Sequence, residues 1–373
     1  AKRPRFYGRA GGRVKHPFVI TSTGMLGLSL ILLANSFTAR PPIIDAHTHL
    51  HAAAAQRIVA IQDENGIGVM VNLSGGHPGP FGPPPGVALA AALPGRVINA
   101  YTPDWSAIDH PAWGVAQAEG LTEAVRRWDF RALKISKALG LYVRDDAGVL
   151  IDSDDPRLDP LWERAGELGV PVFIHTADPK AFWEPPTADN ERAEELSFHP
   201  DWSFWNTGVP ARMDLLAATE RVIAAHPLTS FVLVHFGNNA EELDYVARIL
   251  GAYPNAFVDI SARVPEIGRH PAEAVRDVFL RFHDRILFGS DIGISPYGLV
   301  LGSSGGDEPT DRDVKPFFDT HFRFLETNDR GFAHPTPIQG RWTIDGIGLP
   351  DAVLRDVYHD NAARLLKLPV LAP

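Results

Sequence analysis

PIIDAHTHLH, residues 42–51, begins as an apolar run and ends on histidines at alternate positions, His47 and His49. Its Ile-rich first half, 42–47, has the unbroken apolar character of a strand buried on both faces, as parallel strands are. Side chains two apart on an extended chain share a face, so both imidazoles point to the same side. An isolated His-x-His pair is commonplace on surfaces and in cores. What it means here depends on what the chain does next.

Seven further runs of the same kind follow: GVMVNLS (68–74), RVINAY (96–101), FRALKIS (130–136), VPVFIH (170–175), FVLVHF (231–236), AFVDIS (256–261) and RILFGSD (285–291). Amphipathic stretches lie between them, such as PLWERAGELG (160–169), MDLLAATERVIAAH (213–226), AEELDYVARILGAY (240–253) and PAEAVRDVFLRFHD (271–284). Eight strand–helix units joined by short connections predict an α/β protein, a closed (β/α)8 TIM barrel, with 351–366 as a tail helix. Two connections are too long for simple loops: 176–210, with Trp183, Trp202 and Trp205, and the Gly/Ser-rich 292–316. Both follow strands at the C-terminal face, where barrel sites form.

His175 closes the fifth run, His235 the sixth and Asp291 the eighth. Alone, each has an ordinary explanation: a histidine bonded to a backbone carbonyl, an aspartate capping the next helix. Together with His47 and His49 they place five metal-compatible or proton-transferring groups in one layer at the C-terminal strand ends. Scattered core histidines have no reason to choose that layer. Three imidazoles and a carboxylate suit Zn2+, and less specifically Fe2+ or Mn2+.

IIDAHTHLH, ALKIS, VPVFIHTADP, FVLVHFG and RILFGSDIG resemble, in order and spacing, the metal-dependent amidohydrolase superfamily, and most of all its amidohydrolase 2 branch of hydrolases and non-oxidative decarboxylases. The resemblance spans about residues 42–366. It implies one divalent metal, Zn2+ first, held by His47, His49, His175 and Asp291. It also implies that His235 orients or deprotonates water beside the metal and that Asp291 accepts a proton. Lys134, in the fourth run, would bridge a second metal or contact a small-molecule substrate. The implied activity is hydrolysis of a C–N or C–O bond or decarboxylation of a small carboxylic acid.

The 373 residues include no cysteine, which excludes disulfides and thiolate ligands, and a net charge of −10 argues against nucleic acid as a partner. Residues 1–16 hold six Lys/Arg and no acid, and the apolar run 18–34 follows. Its 17 residues would span about 25 Å as a helix, just short of a hydrocarbon core. A cleavable signal peptide, a core helix and a retained signal anchor all fit this pattern. The anchor is the reading adopted: 1–40 is leader plus transmembrane segment, 41–373 is the barrel, the N-terminus is cytoplasmic and the barrel lies on the periplasmic or extracytoplasmic side. Such a tether leaves a rival function open, a non-catalytic subunit bracing other subunits of a membrane complex.

Overall fold

A computed structural model describes residues 40–79, 82–306 and 308–369, all within one compact unit spanning 39–373. The expected membrane anchor, 18–34, and its basic leader lie outside the described residues. Among the described residues no helix is long and apolar enough to cross a membrane.

Eight parallel strands follow one another in chain order: β1 (Ile43–Leu50), β2 (Ile67–Asn72), β3 (Val97–Tyr101), β4 (Ala132–Ile135), β5 (Val172–Ile174), β6 (Phe231–Leu233), β7 (Ala256–Asp259) and β8 (Ile286–Leu287). The sheet curls until its last segment meets its first. Ala46 N donates to Phe288 O at 3.0 Å, and Asp291 N donates to His47 O at 2.9 Å. This is the TIM-like barrel that the eight runs predict. One helix follows each strand: α1 (Ala55–Asn65), α2 (Pro85–Ala92), α3 (Trp113–Trp128), α4 (Asp159–Leu168), α5 (Arg212–Ala225), α6 (Leu243–Ala252), α7 (Ala272–Arg281) and α8 (Asp311–Glu326). Ile44, Ala46, Val71, Leu73, Phe173 and Val232 share one buried cluster with Ala362, Ala363 and Leu366 of the tail. Arg131, just before β4, donates to Leu366 O and Lys367 O, so the tail covers the N-terminal mouth. The C-terminal mouth is left uncovered by the tail.

Two expectations need correcting. The eighth run does not continue as a regular strand to 291: only Ile286–Leu287 pairs with β7, and 288–291 leans onto β1 instead. Gly289 permits that approach, since a Cβ there would stand 3.1 Å from His47 Cβ and 3.2 Å from Ser261 Cβ. The stretch 292–316 is not one long loop. It holds β9 (Ile292–Ile294), parallel to β1, the antiparallel β10 (Leu299–Leu301), and the first turns of α8, begun by a Thr310–Asp313 capping box. The tail helix is present as expected, over Asp351–Leu365, with a wider π-type turn at Asp356–Asp360.

Against β8, α8 buries His321 among Phe288, Phe317 and Phe318, with Nδ1 donating to Phe317 O at 2.8 Å. Burial pushes its pKa down to about 4. Between that value and the ordinary 6.5 the unfolded chain carries a proton that the folded chain refuses. Stability present above pH 6.5 is therefore lost as the pH falls through this window, by about 2 kcal/mol between pH 7 and 5. His321→Leu should flatten this part of the pH dependence, measured by urea unfolding at both pH values; an unchanged slope would show that His321 does not titrate as described.

Candidate metal centre

The C-terminal rim is built from residues in unusual backbone conformations. Of the nine non-glycine residues with positive φ among the described residues, six follow β5 to β8: Ala177, His235, Phe236, Asn238, Ala262 and Asp291. Non-glycine residues adopt this left-handed region at a cost and tend to do so at functional sites. In each case the chain leaves its strand sharply. His235 consequently sits in a turn two residues beyond β6, and Asp291 (φ 61°) turns its side chain toward β1.

Asp291 is where the histidines meet. His47 Nε2 and His49 Nε2 each lie 3.3 Å from Asp291 Oδ1. Two donors roughly 2.0–2.2 Å from one tetrahedral ion stand about 3.4 Å apart, so this spacing is that of co-ligands. One donor atom each of His47, His235 and Asp291 lies within 4.8 Å of the others. The His235 ring is 4.7 Å from that of His47 and 4.5 Å from that of His175. His175 Nε2 is buried without a hydrogen-bond partner, its nearest carboxylate oxygen being Asp178 Oδ1 at 3.4 Å. His47, His235 and Asp291 thus form a group able to hold a cation, His49 touches it through Asp291, and His175 reaches it only through the His235 ring.

The far sides of three of the rings are engaged. His47 Nδ1 donates to Asp259 Oδ2 at 2.9 Å, His235 Nδ1 donates to Ser261 O at 2.9 Å, and His49 Nδ1 lies 2.7 Å from Ser74 Oγ. A proton held on Nδ1 leaves the Nε2 lone pair facing the cluster. Asp259 does more than hold His47. It also accepts from His235 N at 2.8 Å and from Ser261 N and Oγ at 3.1 and 2.5 Å. Asp259 and Ser261 were not identified from the sequence, although an aspartate inside the apolar run AFVDIS was the available signal.

Burial dominates the electrostatics. It holds His175 near pH 4 and His235 well below its usual value, so both imidazoles are neutral at pH 7. It lowers His47 too, against the opposing pull of Asp259. Burial pushes the Asp291 carboxyl upward, but His47, His49 and Lys134 together outweigh it and keep the group near 2. Lys134, buried on β4, has no hydrogen-bond partner for Nζ, and burial brings its pKa down to about 8. Neutral His175 and His235 beside an ionised Asp291 are protonation states that suit a metal.

Beside the cluster opens a cavity of about 360 Å³. Phe182, Arg192, Glu195 and Trp202 of the 176–210 segment roof it, and Val300, Ser303 and Ser304 close the other side. The two segments are latched: Ser303 Oγ donates to Glu195, and His199 Nε2 lies 2.9 Å from Ser304 O. Within the 176–210 segment, Arg192 lines the cavity, whereas Trp183 and Asn190 bond to backbone carbonyls of their own segment. Arg192 is fully buried between Glu195, at 2.6 Å, and Glu266.

The profile of the amidohydrolase family, Amidohydro_2, matches residues 44–368, and the chain belongs to that family. No curated protein matches it. Among solved structures it is similar to 2,6-dihydroxybenzoate decarboxylase complexed with 2,6-dihydroxybenzoate, at 15% identity over 87% of this chain and 99% of that one, TM-score 0.48. It is also similar to a dihydroxybenzoic acid decarboxylase from Polaromonas sp. JS666 with bound manganese and 2-nitroresorcinol, at 13% identity over 87% and 96%, TM-score 0.49. A third is 4-oxalomesaconate hydratase from Rhodopseudomonas palustris, at 15% identity over 87% and 95%, TM-score 0.45.

Two outcomes follow from the contacts. Asp259→Asn should keep the fold yet weaken divalent-metal binding on the order of 10- to 100-fold, as loss of a ligand's outer partner does; competition against a chelator measures it, and unchanged affinity would remove Asp259 from the site. Arg192→Met strands two buried carboxylates and should cost about 3–5 kcal/mol, read from the urea midpoint.

Proposed function

We propose that the chain is a metal-dependent enzyme of the amidohydrolase family that hydrolyses a C–N or C–O bond, or decarboxylates a small carboxylic acid, in the cavity beside Asp291. The observation that carries this reading is the twofold 3.3 Å approach of His47 and His49 to one aspartate oxygen, with both outer nitrogens engaged elsewhere. His47, His49, His175 and Asp291 would hold one divalent ion, Zn2+ by the chemistry of three imidazoles and a carboxylate, with Fe2+ and Mn2+ compatible with the same donors. When bound, the ion supplies Lewis-acid polarisation of a substrate oxygen.

The remaining work falls to the protein. His235 is neutral, carries its proton on Nδ1 and offers Nε2 as a proton acceptor. Asp291, ionised and in contact with two imidazoles, is a second acceptor. The cavity volume suits a substrate of about one ring. Lys134, whose buried Nζ has no hydrogen-bond partner, would contact substrate in a one-metal site and bridge the ions only in a two-metal one. The membrane tether at 18–34, with the barrel on the extracytoplasmic side, is proposed from the basic-then-apolar sequence pattern alone, and alkaline extraction of membranes tests it.

Metal analysis should find about one divalent ion per purified chain. His175→Ala should lose most of it and the activity with it, while product analysis separates hydrolysis from CO2 release. Full metal content in His175→Ala would overturn the ligand set.

A further inference from the structure

The cavity beside the cluster has a neighbour. A second cavity, of about 570 Å³, adjoins it at His49, between the ends of β1 and β2 and the β9–β10 hairpin. Four residues, His49, Gly293, Val300 and Ser304, line both cavities. The His49 ring marks the boundary. Its Nε2 lies 3.3 Å from Asp291, in the wall of the first cavity, and its Nδ1 lies 2.7 Å from Ser74 Oγ, in the wall of the second. Val300 marks it from the other side, because alternation along β10 buries Leu299 and Leu301 and turns Val300 outward.

The two cavities differ in charge. Lys137, Arg192, Asp178 and Glu195 are all in the wall of the first, whereas among the described residues the second has no lysine or arginine and one acid, Glu308. Leu50, Leu299 and Val300 give the second cavity apolar walls. Its rim is a tied turn: Ser295 N and Oγ both donate to Gly298 O at 3.1 Å, and Ser295 Oγ accepts from Tyr297 N at 3.2 Å. Tyr297 stands on that turn with 90% of its surface exposed. An aromatic ring on a fixed backbone at the lip of an apolar cavity is placed to pack on whatever enters.

We infer that this second cavity is a further substrate subsite, which takes an uncharged, largely apolar group about one ring in size, so that the substrate has two parts and straddles His49. The inference rests on the metal-enzyme reading of the cluster. Its volume lies in the range of small-molecule sites, and its walls offer apolar contact with a few hydroxyls, from Ser74, Ser295 and Tyr297, rather than charge. A substrate confined to the first cavity would leave Val300 and Tyr297 facing water. One that reaches past His49 covers both.

The test is calorimetric titration of the metal-loaded protein with two hydroxamic acids, N-methylbenzohydroxamic acid and N-benzylbenzohydroxamic acid. Both carry the same metal-binding group and the same acyl ring, and only the second has another ring to place. The wild type should bind the benzyl compound on the order of 10-fold more tightly, or better, from the apolar surface it buries. A Cβ on Gly298 meets nothing within 4 Å, so Gly298→Trp fills the second cavity without disturbing its neighbours. It should abolish the gain while the methyl compound binds as in the wild type and metal content is unchanged. Should Gly298→Trp fail to fold, Tyr297→Ala, at an exposed position, should cut the gain by about 2- to 10-fold, as loss of one aromatic contact does. No gain from the second ring in the metal-loaded wild type, or a gain that survives either variant intact, overturns the inference and leaves the metal reading standing. A purified chain that holds no divalent ion and binds neither compound overturns the metal reading, and this inference with it.

Discussion

The seam between β1 and residues 288–291 is the constraint on which the rest depends. Asp291 N bonds to His47 O, Phe288 O to Ala46 N, and Ser290 donates through both N and Oγ to the buried carboxylate of Asp45. Asp45 also accepts from His47 N, so one side chain ties the first strand to the last. Burial pushes its carboxyl up to about 7 although three donors favour ionisation, which shows how dry the seam is. Closing the barrel and bringing Asp291 to the histidines are therefore a single event. A sheet of the same strands left open at this point would have its ligands on opposite edges.

A second buried carboxylate, Asp259, gives the cluster its orientation. It fixes the ring of His47, the backbone of His235 and the hydroxyl of Ser261, and Ser261 O in turn fixes the ring of His235. Two imidazoles from different strands are thus aligned through one strand that donates nothing to the cluster itself. This is the outer layer that metal sites depend on for ligand orientation.

The barrel was legible because parallel strands buried on both faces are written as unbroken apolar runs, and eight such runs with helices between them leave few alternatives. His47, His49, His175, His235 and Asp291 were legible for a related reason: each ends such a run, where the polypeptide passes from the wall to the rim. Asp259 and Ser261 were not, because an orienting residue differs from a buried structural one only in what lies across the barrel from it. The β9–β10 hairpin was hidden by its Gly/Ser-rich surroundings and by strands of three residues, too short for an alternating pattern to stand out. The eighth strand ran short of its apolar run because Gly289 lets the chain lean across to β1, a three-dimensional matter that composition does not encode.

The left-handed residues that follow β5 to β8 have a consequence for how the barrel would come apart. They form an arc at the lip of the wall, each held in a conformation its own chemistry disfavours, and only the strands beneath keep them there. Such an arc behaves like a hoop under tension: when heat or denaturant loosens the staves, the hoop slackens before they separate. The geometry of the cluster at the mouth is then expected to relax before the wall of the barrel does.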